Sequence, residues 1–281
     1  MSTYVISDIH GYLSRFFDVL DKAHFNWNKD ELYILGDIID RGPESADALQ
    51  WIMEEAPSNI HMLCGNHEDM AYRSLLTIQD TGSVEDYIWD DPWSWNGGVT
   101  TLDALREERG SDWCHKAAQW IRQLPLYFIK EVNGMKILMV HAGIETGSPR
   151  FSDDFIETGR QDYVDIPGIG EVWAQHLLWI RERWFYNITA YPYDYIIFGH
   201  SPTTFTWWKS MIDYYQWEQE VFPEQTFPHI AVMGEPGKIV RLAGYGNGHM
   251  RCCIDTGRRN MGLLRLDDMQ EFYSDLEIEN D

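Results

Sequence analysis

Five short runs of apolar residues, rich in β-branched and aromatic side chains, stand out along the 281-residue chain. Runs of this length, bounded by charged, Gly or Pro residues, are typical of buried β-strands. We therefore predict strands at residues 3–7, 31–35, 60–64, 136–140 and 195–199.

Between these runs, apolar residues return at the spacing of an amphipathic helix. The spacing is helical over residues 13–20 and 49–53, so the first three predicted strands alternate with helices. A β-α-β-α-β order predicts parallel strands joined by right-handed crossovers. Further helices are expected at residues 68–76 and 102–121, the second of them interrupted by Gly110.

A polar side chain able to bind metal follows each of the five predicted strands. In open α/β sheets, ligands bind beyond the carboxyl ends of the strands, so these side chains are expected to meet along one edge of a sheet. Taken singly, each has an ordinary explanation as a helix cap, a turn residue or a hydrogen-bonded residue. Their joint occurrence predicts a site, and the residues are Asp8, His10, Asp37, Asn66, His67, His141 and His200.

Length and composition favour a single domain over residues 1–281, with elaborations at about 85–125 and 203–250 and an acidic tail at about 267–281. We interpret the Trp-rich stretch in the first elaboration as a packed cap. No apolar run is long enough to cross a bilayer, and the first residues lack the character of a leader, which predicts a cytoplasmic protein without membrane attachment. The four cysteines show no CxxC spacing, so reduced and buried thiols are expected.

The formal net charge of −23 argues against one class of partner. Affinity for a DNA or RNA backbone is built from Lys and Arg, and a chain this acidic repels that backbone. Polymeric nucleic acid is therefore not expected as a substrate. The oligomeric state is left open by the sequence.

Ordered sequence blocks carry a more specific signal. They are SDIHG from Ser7, GDIIDRG from Gly36, GNHE from Gly65, HAG from His141 and GHSPT from Gly199, with IDTG from Ile254 as a weaker late block. In this order the blocks resemble the metallophosphoesterases, and within them the phosphoprotein phosphatase branch, which includes bacterial and phage serine/threonine phosphatases and symmetrical diadenosine tetraphosphate hydrolases. The resemblance implies the calcineurin-like α/β fold, a central β-sandwich of mixed sheets flanked by helices.

The same resemblance implies a role for each matching residue. A histidine of the GNHE block, His67, would protonate the leaving group and be oriented by Asp40, while Arg41 would hold the substrate phosphate through its planar guanidinium. A second arginine is expected after the HAG block, where we prefer Arg181 to Arg183. The implied metal ligands are Asp8 and His10 on the first ion, Asp37 between the two ions, and Asn66, His141 and His200 on the second.

Two divalent ions that share a carboxylate can activate a water molecule and neutralise phosphoryl charge. An Asp, His and Asn ligand set without thiolate suits manganese, which we expect, and also iron or zinc. The leading hypothesis is a protein serine/threonine phosphatase acting on phosphorylated protein or a small phosphoester. The alternatives are a hydrolase of diadenosine tetraphosphate or another nucleotide, and a binding module without turnover.

Overall fold

A computed structural model describes residues 1–81, 91–147, 159–187, 189–205, 208–213, 230–244, 249–257 and 260–276 of the chain. Within these residues the strands form a five-stranded, a six-stranded and a two-stranded sheet. The strands are β1 (Thr3–Ile6), β2 (Glu31–Ile34), β3 (Ile60–Met62), β4 (Tyr127–Val132), β5 (Met135–Val140), β6 (Tyr163–Ile166), β7 (Gly170–Trp173), β8 (Tyr195–Phe198), β9 (Ile230–Met233), β10 (Val240–Gly244), β11 (Met250–Cys253), β12 (Gly262–Arg265) and β13 (Gln270–Tyr273).

The helices connect and cover these strands. A single-turn π-helix at Trp51–Glu55 continues the second helix, and another at Ser94–Gly98 precedes the fourth. The interruption predicted at Gly110 is present, because this glycine has a φ of 77° and separates two helices. The α-helices are α1 (Leu13–Lys22), α2 (Ser45–Gln50), α3 (Asn66–Thr81), α4 (Val99–Glu108), α5 (Ser111–Gln123), α6 (Ala174–Trp179) and α7 (Glu182–Phe185).

The five-stranded sheet has the order β13-β12-β1-β2-β3. Strands β1, β2 and β3 run parallel, with Tyr4 opposite Leu32 and Tyr33 opposite His61, as the alternation of strands and helices predicts. Strand β12 pairs antiparallel with β1. The sheet is therefore mixed, and its parallel half carries the first three sequence blocks at its carboxyl ends.

The six-stranded sheet has the order β4-β5-β8-β11-β10-β9. Its central strands β5, β8 and β11 are parallel, whereas β4, β9 and β10 pair antiparallel with their neighbours. The HAG and GHSPT blocks follow β5 and β8 directly.

The core lies in two layers that follow from the alternation of side chains along each strand. One apolar cluster joins the facing sides of the two sheets and includes Val5, Tyr33, Ile137 and Ile197. The residues that alternate with these along the strands, such as Ile6, face the other side of each sheet. They belong to a second cluster that also contains the buried faces of the helices. The fold is thus the predicted β-sandwich of mixed sheets flanked by helices.

The structure corrects three expectations. The five predicted strands exist, but they belong to two sheets, so the site does not lie along the edge of a single sheet. The segment 203–250 is not wholly an elaboration, because β9 and β10 complete the six-stranded sheet. The segment from 267 is not wholly a solvated tail, because β13 pairs with β12, while residues 277–281 lie outside the described part of the chain.

The described residues include all four cysteines, which were predicted to be buried thiols, and the helices in which a membrane span would be sought. All four cysteines are buried free thiols, as predicted. Among the helices that the structure describes, none combines the length and the apolar character that a membrane span requires.

Candidate active site

The loops after the strands adopt a backbone conformation that side-chain-bearing residues rarely tolerate. Residues in the left-handed region cost of order 1–3 kcal/mol each and cluster at functional sites. Hydrogen bonds between the first two loops hold this geometry, with His10 N donating to Asp37 O at 2.9 Å and Gly11 N to Ile38 O at 2.7 Å. Site residues with positive φ, between 49° and 75°, are Asp8, His10, Asp37, Asp40, Arg41 and His200.

Two glycines allow the second and third loops to touch. A β-carbon on Gly36 would lie 2.5 Å from both the α-carbon and the nitrogen of Gly65. A β-carbon on Gly65 would lie 2.5 Å from the backbone nitrogen of Asp37 and overlap its carboxylate. Only glycine fits this close approach, which brings Asp37 and Asn66 side by side.

One group of ligand atoms gathers beside Asp37 Oδ1. The amide oxygen of Asn66 lies 2.8 Å from His141 Nε2 and 2.8 Å from His200 Nδ1. His141 Nδ1 donates to the carbonyl of Leu35 at 2.7 Å, so its Nε2 presents a lone pair, 3.6 Å from Asp37 Oδ1. The lone pairs of His141 Nε2, Asn66 Oδ1 and Asp37 Oδ1 therefore face one another and repel unless a cation lies between them, so this group fits a metal ion.

A second group gathers beside Asp37 Oδ2. His10 Nε2 lies 3.8 Å from this oxygen and 3.9 Å from Asp8 Oδ1. His10 Nδ1 donates to the carbonyl of Ile39 at 2.9 Å, which again leaves Nε2 as the lone pair. Asp37 therefore turns one carboxylate oxygen toward each group, the arrangement that a bridging ligand requires.

Burial sets the protonation of these groups. Burial is the largest cause that lowers the pKa of His10, His141 and His200, so each imidazole is neutral and able to bind metal. Burial, then the charge of Asp8, raises the pKa of Asp37 well above its usual range. Buried lone pairs and carboxylates gathered in this way would be stabilised by divalent ions.

His67 sits between two charged neighbours beside the same carboxylate. Its Nδ1 donates to Asp40 Oδ2 at 2.6 Å, so Nε2 carries a lone pair that accepts from Arg41 Nη2 at 2.9 Å. Arg41 Nη1 donates in the same way to His10 Nε2. Burial, then the charge of Arg41, lowers the pKa of His67 well below its usual range. The predicted His67, Asp40 and Arg41 group is thus assembled as a connected network.

Two residues that donate to Asp40 lie outside every sequence block. The indole nitrogen of Trp93 donates to Asp40 Oδ2 at 2.8 Å, and Thr101 Oγ1 donates to Asp40 Oδ1 at 2.5 Å. Trp93 is fully buried, in keeping with a packed cap for the described part of the Trp-rich stretch, whereas Trp95 is 67% exposed. Trp89 lies outside the described residues.

A buried glutamate supports the loop that carries Asp37. Glu68 accepts hydrogen bonds from the backbone nitrogens of Asp37 at 2.8 Å, Ile38 at 2.9 Å and Gly65 at 2.9 Å. Burial, then the charge of Asp37, raises the pKa of Glu68 to about 8. Glu68 is the last residue of the GNHE block, but the block does not indicate what the side chain does. Its hydrogen bonds to the loop of Asp37, about 30 residues earlier in the chain, reveal that it holds two loops together.

Eight of the ten predicted residues line one cavity of about 610 Å³, whereas Asp40 and His141 are fully buried and do not line it. Arg181 is among the eight and donates to the carbonyl of His200 at 2.8 Å, whereas Arg183 pairs with Glu145 at 2.9 Å and lines a different pocket. Of the two arginines, Arg181 is therefore the one on the wall of this cavity. Pro202, Asp255 and Gly257, from the GHSPT and IDTG blocks, also line the cavity. The lining residues from outside the sequence blocks are Asn96, Trp179, Thr204 and Phe205.

Comparison with known proteins places this site in a family. Residues 1–219 match the calcineurin-like phosphoesterases. The chain belongs to the calcineurin-like phosphoesterase family. The resemblance seen in the sequence blocks is confirmed, and this phosphoesterase is a hydrolytic enzyme rather than a binding module without turnover. The family implies a dinuclear metal centre, and the two groups of ligand atoms on Asp37 fit one.

Curated relatives share the motif-bearing part of this phosphoesterase. A symmetrical bis(5'-nucleosyl)-tetraphosphatase of Erwinia tasmaniensis is 31% identical over 145 residues, which cover 51% of this chain and 45% of the relative. The same enzyme of Haemophilus ducreyi is 27% identical over 208 residues, covering 68% of this chain and 67% of the relative. The chain thus matches somewhat less than half the length of the first of these relatives.

Solved structures show the same fold. A hypothetical protein of Pyrococcus horikoshii OT3 superposes with a TM-score of 0.51 at 15% identity, covering 100% of this chain and 88% of the other. At that identity the likeness shows the architecture alone. It agrees with the mixed two-sheet sandwich described above.

Proposed function

We propose that this phosphoesterase hydrolyses dinucleoside tetraphosphates at the central anhydride and releases two nucleoside diphosphates. One observation supports metal-dependent phosphoester hydrolysis as the reaction class. Ligand atoms converge on both oxygens of Asp37, which lines the cavity. The curated relatives, whose names describe a symmetrical tetraphosphatase, support the substrate class. The motif blocks alone favoured a serine/threonine phosphatase, and the relatives favour its alternative.

In this proposal the chain would hold two divalent ions, which we expect to be manganese and which would supply an activated water and neutralise phosphoryl charge when bound. The chain's own contribution is the ligand set and its rigid placement. Each imidazole is fixed by a backbone carbonyl, an amide or a neighbouring ring, so little reorganisation is needed when the ions bind. The proposed ligands are Asp8, His10, Asp37, Asn66, His141 and His200.

Arg41 and Arg181 would bind the phosphate oxygens. Arg41 donates to the lone pairs of His10 and His67. A polyphosphate chain offers this guanidinium stronger, charged acceptors, and the shift of Arg41 toward them would release His67 Nε2. Arg181 lines the same cavity beside His200, where burial lowers its pKa without removing its charge at neutral pH.

His67 would then protonate the leaving oxygen. Withdrawal of Arg41 and arrival of the anionic substrate both favour the protonated imidazole, and Asp40 stabilises it through Nδ1. The water oxygen forms a bond to one central phosphorus, the bridging oxygen leaves with the other nucleoside diphosphate, and the proton from His67 neutralises charge on it. The water supplies the proton that restores His67.

A cavity of about 610 Å³ supports an extended substrate over a single phosphoryl group. The exposed ring of Phe205 lies on its wall and offers an aromatic surface. A phosphorylated protein side chain would use the same metal centre and little of this wall.

The test compares two substrates under one set of conditions. Purified protein with added manganese is incubated with diadenosine tetraphosphate, with the products separated by anion-exchange chromatography, and in parallel with phosphoserine and phosphothreonine peptides. We expect adenosine diphosphate as the sole nucleotide product, and loss of turnover in chelator. Phosphate release from the peptides without cleavage of the dinucleotide would instead support the protein phosphatase, and unequal nucleotide products would exclude central cleavage.

A further inference from the structure

The segment from Trp93 to Thr101 lies against the DRG block from outside all the sequence blocks. Besides the two side-chain contacts to Asp40, the carbonyl of Gly97 accepts from the backbone nitrogen of Arg41 at 3.2 Å. Gly97 has a φ of 98°, and a β-carbon there would lie 2.9 Å from Arg41 Cγ. This segment therefore contacts both members of the block that reach the reaction centre.

We propose that Trp93 and Thr101 are positioning residues, which fix the Asp40 carboxylate in the orientation that holds His67 for proton transfer. The inference rests on the proposed role of His67 as the general acid. It does not depend on which phosphoester is the natural substrate.

Among the residues that the structure describes, three donate hydrogen bonds to the Asp40 side chain. Asp40 Oδ2 accepts from His67 at 2.6 Å and from Trp93 at 2.8 Å, while Oδ1 accepts from Thr101 at 2.5 Å. The Thr101 hydroxyl also accepts from the backbone nitrogen of Asp40 at 3.0 Å, so its own proton is directed to the carboxylate. The carboxylate can rotate about its last torsion only by breaking at least one of these bonds.

Burial makes these contacts matter for charge as well as orientation. Asp40 is 0% exposed. Burial raises the pKa of Asp40 to about 7, and the hydrogen bonds from Thr101 and Trp93 are the largest influences that oppose the rise. Without them, the carboxyl would more readily become neutral and free to turn, and His67 would lose the partner that fixes its Nδ1 proton.

The main variant is Thr101→Val, which keeps the shape of the side chain and removes the hydroxyl, with Thr101→Ser restoring it. Trp93→Phe is the second variant, because it removes the indole N–H by an independent change. Thr146→Val and Trp95→Phe are controls for the same chemical changes, since both residues are exposed. Thermal unfolding verifies that each variant is folded before its kinetics are compared.

Manganese-loaded protein is assayed on p-nitrophenyl phosphate and phenyl phosphate, whose leaving groups differ in basicity. For Thr101→Val we expect kcat to fall roughly tenfold on phenyl phosphate, less on p-nitrophenyl phosphate, with KM and manganese content unchanged, as for loss of one hydrogen bond to a charged group. Trp93→Phe should show the same dependence on the leaving group. Thr101→Ser and the two controls should stay close to the wild type.

A background variant separates positioning from a merely structural role. In His67→Asn, the addition of Thr101→Val should lower the rate no further, because the residue through which Thr101 acts is already gone. Equal losses in both backgrounds, or equal losses on both aryl phosphates, would overturn the inference. Turnover of aryl phosphates without cleavage of diadenosine tetraphosphate would overturn the proposed substrate alone, and absence of turnover on every substrate would overturn both.

Discussion

Replacement of Glu68 by glutamine tests whether the site depends on the support beneath Asp37. The Glu68 carboxyl is fully buried, and its two oxygens accept three backbone N–H bonds from the loops that carry Asp37 and Gly65. A carboxyl group can accept on both oxygens in either protonation state. The amide of glutamine can accept on only one, because its nitrogen has no lone pair to offer. Whichever way the amide turns, at least one backbone N–H then faces an N–H₂ group.

The magnitude follows from the contact that is lost. A buried donor left without an acceptor costs about 2 kcal/mol. With an unfolding entropy of about 2.1 cal/mol/K per residue, that cost lowers the Tm of a 281-residue chain by about 3–4 °C. Because the disturbed nitrogens belong to Asp37 and Ile38, the Asp37 carboxylate should also shift, with a loss of about tenfold in manganese affinity. Calorimetric unfolding of metal-free protein and a manganese titration measure the two effects separately.

Glu55→Gln provides the control, because Glu55 is exposed and the same chemical change there should alter Tm very little. If Glu68→Gln unfolds at the wild-type temperature and binds manganese as tightly, the three backbone bonds do not hold the site, and the reasoning is refuted.

Three further comparisons test other parts of the site. Asp37→Asn should lose both ions and nearly all turnover, whereas His67→Asn should keep its metal content and slow mainly substrates with basic leaving groups. Elemental analysis measures the metal content, and a series of aryl phosphates measures the dependence on the leaving group. Equal metal loss in both variants would contradict the role given to His67. Arg181→Ala should raise KM for a phosphoester by about tenfold or more through loss of a charged hydrogen bond, while Arg183→Ala should leave steady-state kinetics unchanged. A raised KM in Arg183→Ala with unchanged kinetics in Arg181→Ala would exchange the roles of the two arginines. Gly65→Ala should lose metal, although the backbone φ of Gly65 is ordinary, because the added β-carbon would overlap the Asp37 carboxylate. A metal content equal to that of the wild type would show that the two loops can separate to make room.

Much of the fold could be predicted because the decisive signals are local. The run before Asp8 and the run before His141 are short, apolar and β-branched, and each becomes a strand at nearly the predicted bounds. The break at Gly110 is equally local, since it depends on one residue's conformational freedom. Side chains that follow strand ends were also predictable, because strand direction determines where they emerge.

Other features depend on contacts between distant segments, which periodicity does not record. Nothing in the run before His141 indicates that its strand joins a different sheet from the strand before Asp8. Likewise Trp93 reads as an ordinary apolar residue and Thr101 as an ordinary helical one, although they lie 53 and 61 residues from the carboxylate that they contact. The roles of such residues become visible only when the chain is folded.

The division of the ligands between two sheets has a consequence for how this protein can be altered. Asp8 and the backbone of His200, 192 residues apart and on different sheets, already share a hydrogen bond of 2.9 Å. Ions held in common would act as a cross-link between the halves of the sandwich. A chimaera that exchanged one sheet with that of a relative would therefore inherit half a coordination sphere, and its assembly would depend on whether the borrowed half meets the other in register.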